Sequence, residues 1–100
     1  MIYIADEKEF NSLIVDKVLI EFASKECHAC ILAEPFLVEL EKAYPFKVGI
    51  VDISFNFKMM SKFNITVVPT FIMFEEQKEL FRVNGFRNKY DLEKQLRRIR

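Results

Sequence analysis

Cys27 and Cys30 stand three apart in the stretch SKECHACIL. They are the only cysteines in the chain, and His28 between them is its only histidine. Thiols at this spacing support three kinds of behaviour. They can cycle between dithiol and disulfide, form half of a metal site, or sit inert in an apolar core. A metal centre needs about four ligands from thiolate, imidazole or carboxylate. One chain offers Cys27, Cys30 and at most His28, so a zinc or iron–sulfur site would need two copies bridged through the CxxC. Glu21 is the other residue with chemical promise. It interrupts the apolar run VLIEFA beneath the cysteines, where it is either desolvated or reaches water from the strand end.

Positioning these groups is the task of the elements around them. MIYIA reads as a short strand. DEKEFNSLI reads as a helix, with Asp6 as N-cap and Glu9 three residues later completing a capping box. KVLIEFA has the length and unbroken apolarity of a strand buried on both faces. From Cys27 or Ala29 the period changes: Ala33, Phe36, Leu37, Leu40, Ala43 and Tyr44 recur at three and four, marking one face of a helix. Pro35 inside that helix deletes a backbone hydrogen bond to Ile31 and predicts a kink. FKVGIVDI is a further buried strand. FKMMSKF is a short helix ended by Asn64, and Met59, Met60, Phe55, Phe57 and Phe63 are expected to pack in the core. PTFIMF and ELFRVNG, joined by the polar EEQK, predict an antiparallel hairpin. NKYDLEKQLRRI closes the chain as a helix with Leu92, Leu96 and Ile99 on one face. The order β-α-β-α-β-α-β-β-α implies an α/β fold. Its early strands pair in parallel, its hairpin adds an antiparallel edge, and helices cover both faces.

Composition limits the function classes. Of the 100 residues 51% are hydrophobic and eleven are Phe, which favours a packed core over disorder. Fifteen basic and fifteen acidic side chains cancel, so the overall charge points to neither nucleic acid nor an anionic membrane. The basic group Arg87, Lys89, Lys94, Arg97, Arg98 and Arg100 is read as a solvated helix end complementing its own dipole. The start MIYIADEKEF lacks the basic region and apolar run of a secretory signal, and no apolar run approaches the ~18–20 residues of a membrane span. These features predict a soluble cytoplasmic protein. There a lone CxxC is catalytic or metal-binding more often than structural.

In their order and spacing these residues resemble the thioredoxin family along nearly the whole chain. VLIEFASKECHAC is similar to that family's strand followed by CxxC, with Glu21 where many members carry a buried Asp. Pro35 stands in the place of the helix-kinking proline. FNITVVPTFIMF is similar to the segment around the family's cis-proline, with Pro69 in that place, and Gly85 matches the late glycine. Glu26-Cys27-His28-Ala29-Cys30 departs from the usual Trp-Cys-Gly-Pro-Cys, there is no Trp, and Ile50 replaces a Lys found beside the buried acid in many members.

The resemblance implies a thioredoxin fold over a single domain, residues 1–100, acting as a thiol–disulfide oxidoreductase. The positive end of the helix dipole would favour a thiolate on Cys27, making it the nucleophile. Cys30, one turn deeper, would resolve the mixed disulfide, and Glu21 would carry a proton for it. Protonated His28 would favour the Cys27 thiolate, and Glu26 would oppose it. Val68, Pro69 in cis, Gly85 and Phe86 would border the substrate groove, with Glu26 and His28 beside it. The implied partners are protein disulfides and an upstream disulfide reductase. A monomer is expected, with no cofactor or metal and no nucleic-acid or membrane partner. Two other readings stay open: a thioredoxin-fold binding module with little turnover, and a CxxC-bridged metal or cluster dimer.

Overall fold

A computed structural model describes residues 1–54 and 56–99; Phe55 and Arg100, named above, lie outside the described residues. Nine elements follow one another: β1 (Ile2–Tyr3), α1 (Glu7–Leu13), β2 (Val18–Ala23), α2 (His28–Ala43), β3 (Lys47–Asp52), α3 (Phe57–Lys62), β4 (Thr70–Glu75), β5 (Lys78–Asn84) and α4 (Tyr90–Arg98). The strands form one sheet in the order β1-β3-β2-β4-β5. β3 pairs in parallel with β1 and β2, while β4 runs antiparallel to both β2 and β5. β2 is thus central, and every one of its six residues is buried.

The two faces of the sheet carry separate cores, because successive strand residues point to opposite sides. On one side Leu19, Val48, Phe71, Met73 and Phe81 meet Phe36, Leu37 and Leu40 of α2 and Leu92 and Leu96 of α4. On the other, Ile20, Phe22, Val51, Ile72 and Phe74 meet Phe10 of α1 and Met59 of α3. Gly49 is needed where β3 runs between β1 and β2. A Cβ there would lie 2.9 Å from Ile4 Cδ1 and 3.0 Å from Ile20 Cδ1.

Local details refine the expected elements. Asp6 caps α1 by accepting from the Glu9 N–H at 2.8 Å, but the Glu9 carboxylate accepts from Ala5, not from the cap residue itself. The hairpin connection shrinks from EEQK to Glu76 and Gln77, because Glu75 and Lys78 pair with each other. Both turn residues have positive φ, 54° and 67°, as a two-residue turn matching strand twist requires. Phe57 is 73% exposed. It opens the short helix α3 on its solvent side, whereas Met59 is buried, and Met60 and Phe63 pack against the core. Ala43 is exposed at the last helical position of α2, just before the chain turns extended at Tyr44.

Candidate active site

β2 ends at Ala23, and four residues later Cys27 caps α2. Its backbone is extended, and its Sγ accepts from the Cys30 N–H at 3.1 Å. A thiol at an N-cap faces N–H groups that lack helical partners and sits at the positive end of the dipole. Cys27 and Cys30 are joined in a disulfide with their Cα atoms 5.2 Å apart, inside the usual range for such a bridge. Cys27 is half-buried and Cys30 buried. Cys30 belongs to a small cluster with Ala23 and Ile50, against which Cys27 and Val68 pack. His28, the first helical residue, and Glu26 are both exposed.

The segment facing the cysteines comes from the approach to β4. The Val68–Pro69 peptide is cis. Thr70, fully buried, donates its hydroxyl to the Val67 carbonyl at 2.7 Å and lies 3.4 Å from Asn84 Oδ1. The Gly85 N–H donates to the Pro69 carbonyl at 2.6 Å. Gly85 has φ 81°, with nothing within 4 Å of an added Cβ, so backbone conformation and not space calls for glycine there. Phe86 turns toward the core, its ring centroid 6.3 Å from that of Phe36 and 6.1 Å from that of Phe71.

Glu21 lies beneath this arrangement, 1% exposed, between Ile50 on β3 and Phe71 on β4. Its Oε2 has no hydrogen-bond partner among the described residues. Burial, and secondarily the charge of Glu34, push its pKa from 4.5 to about 8. A pocket of about 290 Å³ opens beside it, lined by Tyr3, Glu21, Lys25, Cys30, Ile31, Glu34, Ile50 and Asp52, among others. A larger hollow, bordered by Leu13, Val18, Tyr44 and Phe46, touches neither cysteine. Among the described residues no group of three or more Cys, His, Asp or Glu is arranged to hold a metal ion.

Sequence reasoning passed over Tyr3 and Glu34. Glu34 had a readable signal: it follows Cys30 by four, one helical turn, and so shares its face of α2. Tyr3 had none, because its place depends on β1 pairing with β3.

The family model described as Thioredoxin matches residues 1–98. Thioredoxin of Chlamydia pneumoniae is 30% identical over 91 residues, covering 89% of each chain. Thioredoxin X, chloroplastic, of Arabidopsis thaliana is 34% identical over 79 residues, covering 74% of this chain and 43% of that protein. The crystal structure of Fasciola hepatica thioredoxin superposes with a TM-score of 0.90 at 25% identity over the full length of both chains. With the CxxC closed as a disulfide at the start of α2, these matches make the chain a thiol–disulfide oxidoreductase that belongs to the thioredoxin family.

Proposed function

We propose that Cys27 is the attacking thiol and Cys30 the resolving one, in the reduction of protein disulfides. The observation that carries this assignment is the asymmetry of the pair. Cys27 is the more accessible, and its sulfur accepts a backbone N–H at the helix start. That contact stabilises a thiolate, the form that attacks. Cys30 lies behind it, buried. The Cys27 thiolate opens the substrate disulfide and forms a mixed disulfide, releasing one substrate thiolate. Cys30 then attacks Cys27 Sγ, closing the internal bridge and releasing the second.

Glu21 serves as proton carrier for Cys30 in this reading. An ordinary carboxylate is about four pK units too acidic to accept a proton readily from a thiol near 8.5. With its pKa raised to about 8, Glu21 is matched to that donor. Val68, Pro69 and Gly85 form the groove wall, with Glu26 and His28 on the exposed rim; Phe86 supports the wall from behind. An extended substrate segment can add strand-like hydrogen bonds to such backbone.

The chain is proposed to work as a single domain and a monomer in the cytoplasm, re-reduced by an upstream disulfide reductase. No described helix is long and apolar enough to cross a membrane. Reduction of insulin with dithiothreitol as electron donor tests the reading. Insulin chains should precipitate faster with the protein than with dithiothreitol alone, and Cys27→Ser should remove the acceleration. An unchanged rate for Cys27→Ser would overturn it.

A further inference from the structure

The pocket beside Glu21 has a second carboxylate on its rim. Glu34 stands one turn after Cys30 on α2, and Tyr3 of β1 donates its hydroxyl to Glu34 Oε1 at 2.7 Å. Tyr3, Glu34, Glu21 and Cys30 all line this one pocket. The Tyr3 bond ties the free end of the Glu34 side chain to β1, across the mouth, instead of leaving it to turn into solvent.

We propose that Glu34, held by the Tyr3 hydroxyl, is a positioning residue for the exchange reaction: its charge, fixed across the pocket from Glu21, governs when Glu21 takes and releases the proton of Cys30. The inference rests on the reading of Glu21 as proton carrier. During resolution the Cys30 thiol gives its proton to the Glu21 carboxylate. The electron pair left on Cys30 Sγ forms the new bond to Cys27 Sγ. The bond between Cys27 and the substrate sulfur breaks, and the substrate thiolate leaves with that pair. A negative charge near a buried carboxyl makes Glu21 a better proton acceptor.

The groups that line the pocket with Glu21, the titratable and charged ones among them, come from several elements. β1 supplies Tyr3, and α2 supplies Cys30 and Glu34. β3 supplies Ile50 and Asp52, and the turn after β2 supplies Lys25. On β4 its register partner is the apolar Phe71. The Tyr3 hydroxyl holds Glu34, and the charge of Glu34 contributes to the raised pKa of Glu21. The same hydrogen bond raises the pKa of Tyr3, which keeps its hydroxyl a donor.

Glu34→Gln isolates the charge, because the amide oxygen can still accept from Tyr3. Tyr3→Phe removes the tie and leaves the charge. Reduced protein is mixed with 5,5′-dithiobis(2-nitrobenzoate), which places a thionitrobenzoate on Cys27. The second release of thionitrobenzoate then reports attack by Cys30, and it is followed across a pH series. In parallel the Glu21 carboxyl is titrated by carbon NMR. Glu34→Gln should lower both the Glu21 midpoint and the inflection of the second release by roughly half a pH unit or more. Tyr3→Phe should move both the same way by less. Midpoints unchanged in Glu34→Gln would overturn the proposal. Glu21→Gln separates the two readings. If it leaves the second release unaltered, Glu21 is not the proton carrier and the reading beneath this one fails with it. If it slows that release while Glu34→Gln shifts nothing, only the role given to Glu34 fails.

Discussion

Glu21 concentrates the physical cost of burial in one side chain, and it is the residue proposed above as proton carrier. Its folded pKa of about 8 against an ordinary 4.5 fixes the sign of its effect on stability. At pH below about 4.5 folded and unfolded chains both hold the proton, and nothing is lost. From there to about 8 the folded chain keeps a proton that the unfolded chain has released, so stability falls by up to about 1.4 kcal/mol per pH unit. Beyond about 8 the loss is complete. Glu21→Leu should therefore stabilise the protein near neutral pH, by up to about 3 kcal/mol, and slow exchange. Thermal melting over a pH series should show the gain shrinking as pH falls toward 4.5; an unchanged melting temperature at every pH would show that Glu21 pays no burial penalty. The place of Glu21 was legible because a lone acid in an apolar run is conspicuous. Ile50 beside it, supplying no cation, was legible only through the family resemblance. Tyr3 was not legible, since nothing local to MIYIA says which residue of α2 it will meet.

The elements were legible where hydrophobic period is strong and blurred where ends are decided by backbone pairing. The six-residue runs of β2, β3 and β4 and the three-four spacing of α2 announce themselves. The hairpin turn did not, because Glu76 and Gln77 are not the residues that left-handed φ values favour. Both occupy that region nonetheless, held by pairing of Glu75 with Lys78 and by bonds from the Glu76 and Gln77 N–H groups to the carbonyls of Val15 and Ile14. Replacing them with Asn and Gly should relieve this strain and stabilise the fold by about 1 kcal/mol. Urea unfolding should show a higher midpoint with an unchanged slope; a lower midpoint would mean that their side chains contribute more than their backbone costs. At the other end of the sheet, Gly49→Ala should destabilise by about 1–3 kcal/mol, because Ile4 and Ile20 must both give way. A melting temperature equal to that of the parent would show that those side chains yield freely.

At the scale of the whole molecule, the central strand β2 carries Glu21 and leads directly to the cysteines, so the packing of both cores bears on the site. The Cα radius of gyration is 12.2 Å, close to the roughly 13 Å of a compact chain of this size. Unfolding followed by far-ultraviolet circular dichroism and by tyrosine fluorescence should give coincident transitions; separated transitions would contradict the single domain proposed above. The balanced charge and the mixed sheet carried no functional message of their own, and the chemistry was legible only where CxxC met a strand and a helix start. The central claim is that the pair works in a fixed order, Cys27 first. Its most direct test is mass spectrometry of Cys30→Ser and Cys27→Ser after brief exposure of each reduced variant to a protein disulfide at neutral pH. The account predicts a stable mixed disulfide on Cys27 in Cys30→Ser, with little adduct on Cys30 in Cys27→Ser. Faster or equal capture by Cys30 would contradict it.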